Sequence, residues 1–385
     1  MILSEKDPGY RQCSISVMDN IADPNITFDA NGICNYYYEY KDAEQRLVFR
    51  GDAGKKKLEE TVRVIKQDGK GKKYDCMLGV SGGVDSTYLA LKAKELGLRV
   101  LCVHFDNGWD SELAVKNIEN IVSRCGFDLY TYVNDWQEFR DIQLAYFKAN
   151  VIDIEAVNDI AIFLSLDRIC AKYGLKNILD GRNVVTEQTI PAAWINKDLG
   201  NMLNIHKKFG TVPLKTFPLI GRWKRNLDAV RRAYYTITLL NYVDYNKQEA
   251  KKEIMEKLDW KDYGGKHYES VFTRFYQGYI LPVKFRADKR KSHLSNLIFS
   301  QQITKEFAVE ELKKPIYPPE QLAIDKPFVL KKLGFTEEEF DKYMAAPAVD
   351  HSVYGNTRTL TQDFPILEIF RPIKNLLVPE KWWER

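Results

Sequence analysis

Short apolar runs alternate with amphipathic helical patterns through the first half of the chain. Continuous apolar runs are typical of strands buried on both faces of a sheet. The strands that this pattern predicts are 75–80, 99–105 and, with weaker signals, 128–134 and 176–181. Segments 112–125 and 155–173 instead show apolar stripes at helical spacing. The alternation predicts an α/β fold with a doubly wound parallel sheet, whose ligands bind at the carboxyl ends of the strands.

The flanking regions differ in character, so we divide the chain into three units. Residues 1–54 are turn-rich, with a hairpin predicted around Asn31-Gly32. Residues 55–220 form the α/β domain, which opens with a helix at 55–66. Residues 221–385 form a mostly helical region for binding substrate or partner, with helices predicted at 223–241 and 246–258 and short helices in the proline-rich tail.

Composition excludes several classes of protein. The chain has 385 residues, is 45% hydrophobic and carries a net charge of +4, too balanced to indicate nucleic-acid binding by itself. We find neither a secretory signal nor an apolar run of about 18 residues, so no membrane span is expected. We therefore expect a cytoplasmic location with reduced cysteines, of which the last four lie in apolar patterns.

The loop between the first strand and its helix is the strongest chemical signal. It reads SGGVDS at 81–86. Glycines let the backbone approach a bulky anion, and the helix that follows directs its free N–H groups at that anion. An ordinary turn explains the glycines but not the whole set of residues. The pattern favours a polyphosphate site.

The sequence of the loop, and Asp85 in particular, indicates which kind of polyphosphate would bind there. The loop lacks the lysine of a Walker A motif, and it is not the G-x-G-x-x-G of dinucleotide folds. A carboxylate in an anion site is repulsive unless a cation bridges the two. Mg²⁺ carried by a nucleotide removes that conflict.

The loop resembles the pyrophosphate loop of the ATP pyrophosphatase superfamily (the PP-loop enzymes). The resemblance implies an adenine nucleotide alpha-hydrolase-like fold and AMP-forming chemistry with ATP and Mg²⁺. The loop would hold the β and γ phosphates, and the loop at 104–112 would lie by the adenine. The implied nucleotide-binding residues are Ser81, Gly82, Gly83, Val84, Asp85, Ser86, His104, Phe105, Asp106 and Gly181, with Asp85 also catalytic.

Further stretches resemble one branch, the N-acetyl sugar amidotransferases of surface-polysaccharide, O-antigen and flagellin-sugar pathways (the WbpG/PseA-like family). They lie at 13–37, 103–121, 181–194, 205–218, 260–282 and 288–295. The resemblance implies conversion of an acetamido group of an activated sugar, such as a nucleotide sugar, into an acetamidino group. ATP would activate the amide oxygen, and ammonia would then displace AMP.

The source of the ammonia is constrained by the cysteines. Residue 2 is isoleucine, which excludes an N-terminal cysteine nucleophile, and no cysteine lies in a G-x-C-x-G setting. A glutamine-derived nitrogen therefore needs a separate glutaminase. The resemblance implies such a subunit with a barrel-like companion, although free ammonium remains an alternative.

The family's N-terminal module usually carries two C-x-x-C pairs, and this chain departs from that pattern. Ser16 and Tyr37 replace the partners of Cys13 and Cys34. Two thiolates do not complete a tetrahedral site, so we do not expect zinc. We expect instead two reduced neighbouring thiols, with Tyr36, Tyr37 and Tyr38 as core.

Three polar clusters complete the predicted site. In the superfamily a lysine from beyond the sheet commonly reaches the phosphates. Lys289 or Lys291 is therefore the expected residue that stabilises the leaving pyrophosphate. The alternative is that the basic segment around these lysines is only an exposed turn. Glu187 is the expected proton acceptor or ammonia-orienting group, without a firm assignment of the base. The expected substrate contacts are Arg182, Asn183, Lys266, His267, Arg290 and Lys291.

Two other functions stay open. A tRNA-modifying PP-loop enzyme would need a basic appendage and often uses catalytic cysteines, for which the charge and the cysteine positions give little support. A module that binds ATP without turnover is the second alternative.

Overall fold

The computed structural model describes residues 6–219, 234–265 and 268–357. Its helices are α1 Asn35–Leu47, α2 Gly51–Asp68, α3 Val84–Glu95, α4 Glu112–Cys125, α5 Trp136–Ala149, α6 Ala156–Tyr173, α7 Val184–Glu187, α8 Leu199–Phe209, α9 Lys247–Leu258, α10 Val271–Phe275, α11 Leu281–Lys284, α12 Lys289–Phe299, α13 Lys305–Lys313, α14 Pro319–Leu333 and α15 Glu337–Ala345. A π-helical turn, Tyr276–Ile280, joins α10 to α11. Within these described ranges, none of the helices has both the length and the apolar character needed to cross a membrane.

A parallel sheet lies at the centre of the chain. Its strands are β1 Cys76–Gly79, β2 Val100–Asp106, β3 Asp128–Val133, β4 Asn177–Leu179 and β5 Tyr235–Ile237. They are ordered β3-β2-β1-β4-β5, and all four neighbouring pairs are parallel. The chain therefore moves outward from β1 through β2 to β3 and then crosses back to β4. The crevice outside the carboxyl ends of β1 and β4 is the switch point, where such sheets bind ligands.

The predicted fold class is confirmed by this topology, and the four predicted strands and the helices at 112–125 and 155–173 are confirmed within a residue or two at their ends. The prediction of a helix at 223–241 is wrong in its described part, because Tyr235–Ile237 is a strand paired with β4. Residues 220–233 lie outside the described residues. A strand of three residues is shorter than one helical turn, so periodicity cannot separate it from a helix.

The sheet therefore continues beyond residue 220, where the sequence suggested a boundary between domains. The helical C-terminal region follows β5 and begins with α9, which packs against α3 and α4. Ile254 of α9 lies in the same apolar cluster as Leu89 of α3 and Ile118 of α4. The α/β region and this helix thus share one core.

The N-terminal segment packs on the C-terminal helices. The ring centroids of Tyr37 and Tyr40 lie 5.6 and 5.7 Å from that of Phe299 in α12. Tyr36 is buried, but Tyr38 is 49% exposed, so only part of the predicted tyrosine core is internal. All six cysteines are buried and free, as expected for the last four.

Candidate functional site

The 81–86 loop opens α3 at the switch point of the sheet. Gly83 is the N-cap of α3, and no side chain caps its first amides. These amides remain available to a ligand, and the helix dipole favours an anion there. The Ser81 hydroxyl accepts a hydrogen bond from the Gly83 amide at 3.3 Å, and it lies 3.5 Å from the Ser86 hydroxyl. The predicted geometry of an anion-binding loop is therefore present.

Gly82 is fixed in a conformation that favours glycine. Its φ is +79°. Its carbonyl accepts hydrogen bonds from the Trp260 indole at 2.7 Å and from the Tyr263 hydroxyl at 3.0 Å. A Cβ at this position would lie 2.7 Å from the Tyr263 oxygen and 3.1 Å from the Ala114 carbonyl. The loop is thus held in shape by residues from the 260–263 segment and α4.

Asp85 is oriented by three side chains from distant parts of the chain. Its Oδ1 accepts a hydrogen bond from the Tyr245 hydroxyl at 2.5 Å, and its Oδ2 lies 3.6 Å from the Lys247 ammonium. The Asn183 amide donates to Oδ1 at 3.4 Å. Burial, and then the charge of Asp85, raise the pKa of Tyr245 well above its usual value, so the phenol stays a donor.

Sequence reasoning missed Tyr245 and Lys247. They lie just after β5, in a stretch where no motif marks them, and β5 itself was predicted as helix. Once β5 is placed beside β4, the chain that follows it must run along the same edge of the sheet as the 81–86 loop. Only the order of the strands in the sheet, and not a local motif, could have indicated that Tyr245 and Lys247 lie at this site.

The loop after β4 packs directly against the 81–86 loop. A Cβ on Gly181 would lie 3.1 Å from the Ser86 amide nitrogen, so glycine permits this close approach. Asn183 caps α7 by accepting from the Thr186 amide at 2.8 Å. Arg182 is paired with Asp180 at 2.5 Å, and Glu187, at the end of α7, interacts electrostatically with Arg182. The structure therefore brings Gly181, Arg182, Asn183 and Glu187 to the switch point, and their contacts with nucleotide or substrate stay predictions.

At the end of β2, the side chains of His104 and Phe105 make contacts within the protein. His104 is buried and bridges the Val80 carbonyl, at 3.2 Å, and Asp110, at 3.1 Å. Burial, the largest single effect, lowers the pKa of His104. The hydrogen bond to Asp110, the charges of Asp110 and Asp106, and the contact with the Val80 carbonyl together outweigh burial, so the pKa is raised. Phe105 stacks on Tyr132, with centroids 5.7 Å apart. The side chains of His104 and Phe105 therefore make contacts within the protein, and their predicted role as nucleotide contacts stays a prediction.

Asp106 and the rest of this loop face the C-terminal region. The Asp106 carboxylate accepts from the Gly108 amide at 2.8 Å and shapes the turn. Asp110 forms a β-bridge with Ser270, and the Ser111 amide donates to the Glu269 carbonyl at 2.9 Å. The segment that starts at Glu269 thus adjoins this edge of the sheet.

The basic side chains at the start of α12 each pair with a different carboxylate. The Lys289 ammonium lies 3.4 Å from Glu155, which also accepts from Gln277 at 2.8 Å. Arg290 makes a bidentate pair with Asp288 and donates to the Lys314 carbonyl at 2.8 Å. The contacts of Arg290 therefore join the start of α12 to the chain after α13, and its role in substrate binding stays a prediction.

Lys291 is also paired with a carboxylate of the protein. Its ammonium is paired with the carboxylate of Asp19, and both side chains are largely buried. Asp19 also accepts from the Ala22 amide at 2.8 Å and from the Tyr10 hydroxyl at 3.1 Å. Lys291 thus joins α12 to the N-terminal segment through this ion pair, and its contact with phosphate or substrate stays a prediction. Lys266 and His267 lie outside the described residues.

The degenerate cysteine module does not offer a zinc site. Among the described residues, no three side chains of the histidine, cysteine or carboxylate type converge as metal ligands. Cys13 and Cys34 are neighbours, and Ser16 takes the place of a third thiol. Two sulfurs do not fit the four-ligand geometry of structural zinc.

Comparison with known proteins identifies the C-terminal region. Residues 269–367 match the family model described as "LPS biosynthesis protein WbpG-like, C-terminal domain". Residues 269–367 are therefore similar to the C-terminal domain of WbpG-like lipopolysaccharide biosynthesis proteins, which confirms the WbpG-like part of the resemblance seen in the sequence. This domain starts at Glu269, where the chain meets the loop after β2.

Curated relatives and solved structures add weaker similarities. The uncharacterized protein MJ1599 of Methanocaldococcus jannaschii is 26% identical over 320 residues, 80% of this chain and 95% of that protein. The tRNA(Ile)-lysidine synthase of Chlamydia pneumoniae is 38% identical over 71 residues, 17% of this chain and 22% of that enzyme. The NH3-dependent NAD synthetase of Campylobacter jejuni aligns over 46% of this chain and 83% of its own, with 13% identity and a TM-score of 0.28. The NMN synthetase of Francisella tularensis aligns over 59% and 93%, with 13% identity and a TM-score of 0.29.

Proposed function

We propose that this protein is an ATP-dependent amidotransferase that converts an acetamido group of an activated sugar into an acetamidino group, with AMP and pyrophosphate as by-products. The observation that carries the proposal is the 81–86 loop at the switch point, in a chain with a WbpG-like lipopolysaccharide biosynthesis domain. The loop supports nucleotide chemistry, and the domain supports a sugar as acceptor.

The 81–86 loop would bind the β and γ phosphates of ATP. The uncapped amides of α3 and the hydroxyls of Ser81 and Ser86 are donors that suit phosphate oxygens. Asp85 would meet the phosphates through Mg²⁺, for which a carboxylate oxygen is a preferred ligand. Tyr245 and Asn183 hold that carboxylate in place.

Lys247 takes the role that the sequence suggested for Lys289 or Lys291. Its ammonium lies 3.6 Å from Asp85, and its side chain is 19% exposed. A positive charge there stabilises pyrophosphate as negative charge accumulates on it. Lys289 and Lys291 are instead paired with Glu155 and Asp19.

The loop after β4 would hold the acceptor sugar. Transfer of AMP to the amide oxygen requires the acetamido group beside the α phosphate, and the loop after β4 is the one that packs on the 81–86 loop. Arg182 and Asn183 supply donors there, and Glu187 is our choice for the carboxylate that orients ammonia or takes its proton.

Ammonia would come from a separate glutaminase subunit with a barrel-like companion. All six cysteines of this chain are buried, which does not suit a nucleophile that must reach glutamine. The attacking ammonia forms a C–N bond at the imidate carbon, and the C–O bond to AMP breaks.

The direct test incubates the protein with ATP, Mg²⁺, ammonium and a panel of nucleotide-linked N-acetylated sugars. We expect AMP and pyrophosphate to appear only with a suitable sugar, whose mass should show one oxygen replaced by NH. Formation of ADP, or nucleotide turnover that no sugar stimulates, would refute the proposal.

Matched lysine variants test the phosphate site. Lys247→Ala should lower kcat by about 10²–10³-fold, the usual effect of removing one donor to developing charge. Lys252→Ala, on the exposed side of the same helix, is the control and should keep normal turnover. Equal activity of the two variants would show that Lys247 does not contact the phosphates.

A second candidate is a tRNA-modifying ATP pyrophosphatase, which the 71-residue similarity to a tRNA(Ile)-lysidine synthase favours. Addition of bulk tRNA to the same assay distinguishes the two. Release of AMP that depends on tRNA and lysine, and not on sugar, would establish this alternative.

A further inference from the structure

Cys13 and Cys34 form a buried pair at the base of the N-terminal hairpin. The Cys34 amide donates to the Cys13 sulfur at 3.3 Å, and the two side chains are hydrogen-bonded to each other. Both residues are 0% exposed. Their backbones are also fixed, because the Cys13 amide donates to the Met18 carbonyl at 2.9 Å and Cys34 forms a β-bridge with Phe28. The two thiols are therefore neighbours whose backbones are fixed.

The environment also makes the two sulfurs chemically unequal. The hydrogen bond from Cys34 lowers the pKa of Cys13 to about 5, against the opposing effect of burial. The same hydrogen bond, followed by burial, raises the pKa of Cys34. The lowered pKa favours the thiolate, the nucleophilic form, at Cys13, and the raised pKa favours the protonated thiol at Cys34.

The other four cysteines lack this arrangement. Burial raises the pKa of Cys76, Cys102, Cys125 and Cys170, and no cysteine hydrogen bond counteracts it. They are protonated thiols packed in the core. Reactivity is therefore confined to the pair at the base of the hairpin.

We propose that Cys13 and Cys34 are a redox modification site that interconverts between two thiols and one disulfide. A peroxide is the oxidant class, because a small neutral molecule reaches a buried pair more readily than a bulky disulfide does. The Cys13 thiolate attacks one peroxide oxygen, the O–O bond breaks, hydroxide leaves and Cys13 becomes a sulfenic acid. The Cys34 sulfur then attacks the Cys13 sulfur, the S–O bond breaks and water leaves. In total, two thiols and one hydrogen peroxide give one disulfide and two waters.

The pair is connected to the candidate site through α12. The Cys13 carbonyl accepts from Lys305 at 2.7 Å, and the Val17 amide donates to Ser295 of α12 at 3.3 Å. The next residue of α12, Asn296, donates to the carbonyl of Val184, the first residue of α7 and the end of the loop after β4, at 2.8 Å. Two hydrogen bonds made by α12, one to the segment beside the cysteines and one to Val184, therefore link the cysteine pair to the chain that packs on the 81–86 loop. The proposal itself does not depend on the proposed function.

The experiment treats the folded full-length protein with a small excess of hydrogen peroxide. After an acid quench, free thiols are alkylated in denaturant and the peptides are mapped by mass spectrometry. We expect the number of alkylated cysteines to fall from six to four. A linked peptide pair that contains residues 13 and 34, lighter by two hydrogens, should appear and should disappear after treatment with dithiothreitol.

Two variants complete the test. Cys34→Ser should leave Cys13 as a sulfenic acid that a dimedone probe captures, and Cys125→Ser should form the 13–34 link as the wild type does. Retention of six thiols, a link between another pair, or a link that forms only in denaturant would overturn the proposal. The mapping of the wild type decides the matter even if Cys34→Ser does not fold.

Discussion

Gly82→Ala is the sharpest test of the loop geometry. With φ at +79°, alanine pays a left-handed strain of about 1–2 kcal/mol. Its Cβ would lie 2.7 Å from the Tyr263 oxygen, so that hydroxyl must move and lose its hydrogen bond to the Gly82 carbonyl, worth about 1 kcal/mol. The Ala114 carbonyl, at 3.1 Å, must also shift. Together the strain and the lost hydrogen bond predict a loss of about 2–3 kcal/mol in the free energy of unfolding.

Gly79→Ala is the matched control for this prediction. Gly79 ends β1, three residues before Gly82, and a Cβ there meets nothing within 4 Å. We expect its effect to stay within about 0.5 kcal/mol, as is usual away from such strained positions. Urea unfolding measures both variants, and calorimetric titration with ATP-Mg²⁺ measures the site. Unfolding free energies that agree within that margin for Gly82→Ala and Gly79→Ala would refute the geometry described for the loop.

Three further predictions concern buried charges. Lys291→Ala leaves the Asp19 carboxylate buried without its cation, so the free energy of unfolding should fall by about 3–5 kcal/mol. The ATP affinity measured by calorimetry should stay unchanged. Weaker ATP binding by a folded variant would show that Lys291 contributes to the nucleotide site. The raised pKa of His104 adds stability that is complete below its unfolded pKa and is lost as pH rises through the folded value. Asp110→Asn should therefore be more destabilising at about pH 6 than at about pH 9 in urea unfolding, and an equal effect at both pH values would contradict the pairing. Burial raises the pKa of Asp153 to about 7, so the folded state resists ionisation while the unfolded state ionises near pH 4. Asp153→Asn should gain stability relative to the wild type between about pH 4 and pH 7, and a gain that is independent of pH would refute that assignment.

The sequence predicted best what short-range chemistry determines. Buried strands such as 99–105 need continuous apolar runs, so their positions and their parallel arrangement followed from the pattern. The 81–86 loop was recognisable because glycine, serine and aspartate stand within one turn of each other. The same reasoning failed at 235–237, where a strand of three residues leaves no periodic signal.

The roles of individual charges were harder to predict because pairing depends on the fold. Lys289 and Lys291 are two residues apart on one helix, yet one meets Glu155 and the other meets Asp19, more than 100 residues away in each case. A basic cluster in a sequence is thus a poor guide to an anion site. Burial makes each lysine take a carboxylate partner, and that partner removes it from the cluster.

Lys247 is a cation that the order of the strands brings beside the 81–86 loop, whose own sequence contains no lysine. The 81–86 loop has no lysine of its own, and a Walker loop solves the same problem of phosphate charge with a lysine in the motif. Here β5 joins the sheet beside β4 and runs parallel to it, so the chain leaves β5 at the same edge as the loop. Ten residues later it begins α9 with Lys247, whose ammonium meets Asp85 across more than 150 residues of sequence. The fifth strand therefore leads the chain to the position where Lys247 meets Asp85. If the proposed phosphate site is right, a change that unpairs β5 from β4 should weaken ATP binding before it unfolds the rest of the protein.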